Sequence, residues 1–218
     1  MRINIKAIFI IFVLGFWAIS CTEAREKHEE NDSSLPVTTV PDYVISQLPP
    51  AEQGFEWHLY KNVIFQLPAN WNKQGLVDTS NGFPLSVYAA SPEKFSKTKF
   101  FEMGATVQVI TGSNKFKSIP AKKAAILFLK PFLEEHQSKE DILMFSQSNK
   151  GDFENTLFRY RDAPQGQKPI IVHKYVMAND ITDSVHIFTF ESPETEWNDN
   201  WKKYGIPFLS KIIFTSSE

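Results

Sequence analysis

The chain is poor in the residues that mark most enzyme classes. It has one cysteine, Cys21, among 218 residues, so no intramolecular disulfide can form. Its nine glycines are scattered, without a Walker A loop or a Gly-x-Gly-x-x-Gly turn to cradle phosphate. None of its serines sits in a Gly-x-Ser-x-Gly elbow, and no His-Glu-x-x-His or calcium-loop pattern occurs. Charge of one sign is also lacking: the net is −2, and residues 55–218 are almost neutral. Nucleic acid needs clustered Lys and Arg against phosphates, which excludes that class of partner. No cofactor is expected, and the sequence reads as that of a non-enzyme.

What is present begins at the N-terminus. Arg2 and Lys6 precede Ala7 to Ile19, which carries no charge, and Trp17-Ala18-Ile19-Ser20-Cys21 closes the run with small residues. That order is a secretory signal: positive n-region, short apolar h-region, small residues at the cut. The run falls well short of the ~20 apolar residues that span a bilayer. Its ending resembles the lipobox of bacterial lipoproteins, with Ala18 where Leu is commoner. The resemblance implies cleavage between Ser20 and Cys21 and acylation of Cys21, a lipid anchor worth about 0.8 kcal/mol per buried CH₂. Cleavage without lipid and an uncleaved anchor are the alternatives. With Thr22 rather than Asp after the cysteine, the resemblance to bacterial lipoproteins implies the outer membrane, facing the periplasm, in a cell with two membranes.

Three segments are therefore expected: a signal peptide over 1–20, an acylated cysteine with a tether over 21–54, and a globular domain over 55–218. The tether is acidic at its start (Glu23, Glu26, Glu29, Glu30) and punctuated by Pro36, Pro41, Pro49 and Pro50. Such a segment cannot fold alone, and as a flexible coil it spans roughly 30 Å. Within it, Tyr43-Val44-Ile45 is expected to pack as a short strand.

Beyond Phe55, β-prone runs recur at Trp57–Tyr60, Val63–Leu67, Leu85–Ala90, Met103–Thr111, Asp141–Ser148, Phe153–Arg161, Pro169–Met177 and Ser184–Glu191. Lys61-Asn62, Asn149 to Asp152 and Asn179-Asp180 read as the turns, so neighbouring strands are antiparallel. A helix is expected from an N-cap at Ser118, its stripe Ala125, Phe128, Leu129, Phe132, Leu133 inward, with a kink or break at Pro131. A second starts at Ser192-Pro193, carries Trp197, Trp201 and Tyr204 on one face, and stops at Gly205 and Pro207.

This is an α+β order: an antiparallel sheet flanked by helices. The strand Val63-Ile64-Phe65-Gln66-Leu67 breaking at Pro68 before Trp71, and the strand Val185–Phe190 leading through Ser192-Pro193 into a helix and then Phe208–Phe214, resemble the PsbP-like superfamily. That resemblance implies a PsbP-like (Mog/PsbP-type) α/β/α sandwich serving as a binding or assembly module. A lipocalin-like β-barrel around a ligand is the alternative; the mid-chain helix argues for the sandwich.

Few residues invite chemistry. With Asn179-Asp180 as a two-residue turn, His173 and His186 fall opposite each other, close enough to share a metal or proton, although no carboxylate completes the set. The basic cluster Lys94, Lys97, Lys99 beside Phe95, Phe100 and Phe101 suits lipid headgroups or an acidic partner, or else its phenylalanines turn inward. The overall expectation is a membrane-anchored envelope lipoprotein that binds an envelope protein partner. The second reading is a carrier or sensor of a small apolar ligand in an aromatic pocket.

Overall fold

In the computed structural model, residues 40–78, 85–95, 101–135, 141–163 and 168–215 are described. The expected signal peptide, Ser20, Cys21 and most of the expected tether lie outside them, as do Lys97, Lys99 and Phe100. Among the described residues no helix is long and apolar enough to cross a membrane.

The centre is a seven-stranded antiparallel sheet in the order β3-β4-β5-β9-β8-β7-β6. Its strands are β3 (Asn72–Asp78), β4 (Leu85–Ser91), β5 (Gly104–Thr111), β6 (Ile142–Lys150), β7 (Phe153–Asp162), β8 (Ile170–Asn179) and β9 (Ser184–Pro193). The outermost strands β3 and β6 do not pair, so the sheet is open and the barrel alternative falls. A separate three-stranded sheet, order β1-β2-β10, is built from β1 (Phe55–Tyr60), β2 (Val63–Pro68) and β10 (Ile213–Phe214).

Because successive side chains on a strand point to opposite faces, the central sheet makes two cores. On one face Val172, Val176, Val185, Ile187 and Phe158 meet helix α3 (Ala121–Glu135) through Ala121, Ala124, Ala125 and Leu129. On the other, Phe188, Phe190, Tyr88 and Val107 meet the small sheet through Phe65, Leu67 and Tyr60, and the C-terminal helical run through Trp197 and Phe208. The order helix, sheet, then small sheet with helix is an α+β sandwich. Burying each large apolar side chain stabilises it by about 1.5–3 kcal/mol.

Several expectations are corrected. Tyr43-Val44-Ile45 belongs to a short helix α1 (Asp42–Ile45) with Tyr43 exposed, not to a strand. Strand β3 went unread because Asn72-Lys73-Gln74-Gly75 has no β-branched residue. Ser118 is not the N-cap of α3 but the C-cap of a preceding helix α2 (Ser113–Lys117), left-handed, with its amide on Asn114 O. Helix α3 runs through Pro131 without a break.

The β8–β9 hairpin is closed by four residues, 180–183, and that loop supplies the missing caps. Asp180 accepts the Lys122 amide of α3 at 2.9 Å, and Asp183 accepts the amides of Asn114 and Lys115 in α2. Carboxylates at two helix N-termini are favoured by the dipole. The C-terminal run continues past Gly205: a 3₁₀ turn (Glu194–Glu196), α4 (Trp197–Asn200), a π turn (Trp201–Gly205) and α5 (Ile206–Ser210). Gly205 is not a stop. It makes room for the Trp201 ring, which a Cβ there would strike.

Candidate functional site

The small-sheet layer covers β5, β9 and β8 but leaves much of β7 and β6 open, forming a shelf. Strand alternation puts Leu157, Arg159 and Arg161 of β7, His173 and Tyr175 of β8, and Met144, Ser146 and Ser148 of β6 on that face. The π turn widens the helix by one residue at Trp201, and such turns recur at functional sites. Trp197 and Trp201 stack 5.2 Å apart with an interplanar angle of 17° and wall the shelf.

Arg159 rises from the floor against that wall. Its guanidinium carbon lies 5.0 Å from the Trp197 ring and 4.6 Å from the Trp201 ring. Its Nε donates to His173 Nδ1 at 3.1 Å, which makes His173 the neutral tautomer with its proton on Nε2. Burial, with the Arg159 charge beside it, lowers the His173 pKa to about 3. Burial also lowers the pKa of Arg159, yet a guanidinium stays cationic throughout the physiological range. The aromatic rings, the Nε bond and the strand fix the plane of the fork, while its terminal nitrogens have no partner among the described residues. Arg161, two residues on, differs: its Nε donates to both oxygens of Glu194 at 2.9 Å.

Two other polar clusters are buried elsewhere. Behind the shelf, on the α3 face, Lys174 donates to Thr189 Oγ1 at 3.3 Å and lies 4.7 Å from the Phe132 ring. Burial lowers the pKa of Lys174 and raises that of its neighbour Glu191, and each opposite charge partly restores the other. Between the two sheets, His58 Nδ1 faces the Tyr88 hydroxyl at 3.1 Å, and Lys73 Nζ holds Glu56 at 2.6 Å, 3.3 Å from His58 Nε2. Burial, with Lys73 adding to it, lowers His58 to about 4. The buried members of these clusters join the layers, while Glu56 is 47% exposed at the rim of the second.

The expected histidine pair does not form. His173 stands opposite Phe190 and His186 opposite Met177, because the loop has four residues rather than two. The shift separates the histidines by four positions along the sheet, about 13 Å. His186 instead donates from Nε2 to Asn62 Oδ1 at 2.9 Å and packs edge-on to Phe214. Among the described residues no group of three His, Cys, Asp or Glu could hold a metal. Of the basic aromatic cluster, Phe95 and Phe101 pair edge to face at 5.9 Å and are half-buried.

Sequence reasoning missed Arg159. A signal was there: beyond residue 54 the only arginines are Arg159 and Arg161, two apart on one strand face, against many lysines.

No family model matches the sequence, and no curated protein matches it. Among solved structures, the chain is similar to cyanobacterial PsbP (CyanoP) from Synechocystis, with 13% identity, 74% of this chain and 92% of that one covered, and a TM-score of 0.46. The Saccharomyces cerevisiae Ran-binding protein Mog1p aligns at 12% identity over 73% of this chain and 95% of its own, with a TM-score of 0.41. A protein from Bacteroides thetaiotaomicron aligns at 11% over 72% of this chain and 46% of its own, TM-score 0.39. At such scores the superpositions bear on neither function nor partner. The α+β assignment stands on the strand order and the helices packed on each face.

Proposed function

We propose that this chain is a non-enzymatic lipoprotein of the cell envelope, anchored through acylated Cys21, whose folded domain binds an envelope protein on the shelf beside Trp201. In a cell with two membranes it faces the periplasm from the outer one. The observation that supports binding is Arg159: a cation pinned by two indole rings and a histidine, its terminal donors without a partner among the described residues. The groups around it suit recognition rather than turnover. A guanidinium does not exchange its proton near neutral pH, and His173 already uses Nδ1 as an acceptor. A tether to the membrane confines such a module near its partners and raises its effective concentration.

Mass spectrometry of the protein, extracted in mild detergent from its native membrane, tests this. The expected result is a mature chain carrying acyl mass on Cys21, accompanied by a stoichiometric protein partner. An unmodified chain would remove the anchor, and a bound small molecule without a protein partner would favour a ligand carrier instead. The half-buried Leu157 and Tyr175 on the shelf floor are what such an apolar ligand would meet.

A further inference from the structure

Resting on that reading, we infer that the shelf recognises a carboxylate of the partner protein, an Asp or Glu side chain or a chain end, gripped by the free edge of Arg159.

The geometry of the fork points to this chemistry. A guanidinium offers parallel N–H groups that match the two oxygens of a carboxylate. Arg161 shows a guanidinium on this face taking a carboxylate, its Nε–H shared between both oxygens of Glu194; with its Nε held by His173, Arg159 would use its terminal nitrogens instead. Arg159 stands on the same face, two residues away, and has no carboxylate partner among the described residues. The described acids nearest in sequence on the helical run, Glu196 and Asp199, make no ion pair with it. Charge complementarity therefore asks for one negative charge from outside.

The surroundings favour a protein over a phosphate. One cation suits a monoanionic carboxylate, and among the described residues no second free basic group shares the floor. Next to Arg159 across the strand pair stands Met144, 41% exposed, followed by the exposed hydroxyls Ser146 and Ser148. Beyond them, β6 is the sheet's edge, its outer backbone groups unpaired by any other strand among the described residues, while exposed Phe145 turns to the α3 face against Phe158. Met144, two hydroxyls and a free strand edge offer apolar contact and hydrogen bonds to an extended peptide, which an isolated anion would not use. Rigid aromatic rings around a pinned arginine lose little entropy when a partner docks.

The test uses the full chain in detergent, with glutarate and inorganic phosphate as probes at matched ionic strength. The side-chain Nε–H of Arg159 and the indole N–H of Trp201 are followed by NMR. Glutarate is expected to shift both resonances saturably, at a lower midpoint than phosphate. Arg159→Lys, which keeps the charge but loses the fork, is expected to weaken the response about tenfold. A folded Arg159→Lys that responds equally, a preference for phosphate, or no shift at Arg159 in the native protein would overturn the inference. The last readout needs no variant. If a stoichiometric partner co-extracts equally with native protein and Arg159→Gln, the binding-module reading survives and the carboxylate contact falls. If nothing accompanies the native protein and glutarate shifts nothing, both fall.

Discussion

The two faces of the central sheet each hold a cation, and they treat it differently. Lys174 and Arg159 are diagonal neighbours on paired strands, Phe158 standing opposite Lys174 and His173 opposite Arg159. Lys174 points under α3, where Phe128, Phe132 and Thr189 close over it and burial disfavours its charge. Arg159 points to the shelf, stacked on indoles but open at its far edge. An ammonium is a compact, strongly hydrated charge that loses much when enclosed; a guanidinium can lie flat on rings and keep donors in water. The lysine is therefore enclosed in core, while the arginine stands on the part of the other face that we propose for contact, beside the core under the small-sheet layer.

The largest expected effect separates the two faces. Phe158, fully buried under α3 against Tyr160 and Phe145, should cost about 3–5 kcal/mol when changed to Ala. The described tryptophans lie in the small sheet or on the opposite side, so near-ultraviolet dichroism of Phe158→Ala should keep its indole bands below the lowered melting point. Loss of both together would show that the faces are one structure and break the comparison.

Acid should act on the other face. His58, His173 and His186 all lie between the central sheet and the small-sheet layer, and burial holds them at about 4, 3 and 4. Their folded values lie below the ordinary 6.5, so the stability they contribute is present above pH 6.5 and lost as pH falls toward 3–4. Each contributes about 1.4 kcal/mol per pH unit across that window. Glu191, raised by burial, works in the opposite direction with one proton against three. Urea unfolding at pH 7 and pH 5 should show a loss on the order of 3 kcal/mol at the lower pH. Equal stability at both would mean the histidines are hydrated.

Smaller effects sharpen the picture of the shelf. In Gly205→Ala the new Cβ would meet the Trp201 ring and approach Phe190, an overpacking that costs about 1–3 kcal/mol. Alanine's better helix propensity offsets up to about 1 kcal/mol of this. The diagnostic readout is a displaced Trp201, seen as a change in indole fluorescence and weaker retention of Arg159. Arg159→Gln should alter stability least, within about 1 kcal/mol, since its cation–π and histidine contacts are half-exposed. A melting point lowered by more than 10 °C would make Arg159 a structural residue rather than a recognising one.

Much of the fold was legible because burial on both sides gives unmistakable strands. Val185-His186-Ile187-Phe188 is apolar throughout, and Gly151, in a left-handed conformation, marks the β6–β7 turn where sequence placed it. The stripe of α3 was readable for the same reason: 3.6-residue periodicity survives whatever lies beneath it. The failures share a cause, which is that local rules cannot see partners distant in sequence. Asp180 and Asp183 cap helices some 60 residues away, so Ser118 looked like a cap for want of a visible one. Gly205 looked like a helix stop because its reason, the overlying Trp201 ring, is a matter of packing. The two extra residues in the β8–β9 loop moved His173 away from His186, while the β7–β8 register set it opposite Arg159. Thus the site became visible only when register set which side chains share a face.

Site-specific photo-crosslinking in the native cell tests the central claim most directly. A photoreactive residue is placed at exposed Ser146 on the shelf, and in a second strain at exposed Lys123 on the outer side of α3. The account predicts an adduct to one envelope protein from position 146, lost in Arg159→Gln, and none from position 123. An adduct from position 123 alone, or a position-146 adduct indifferent to Arg159, would contradict it.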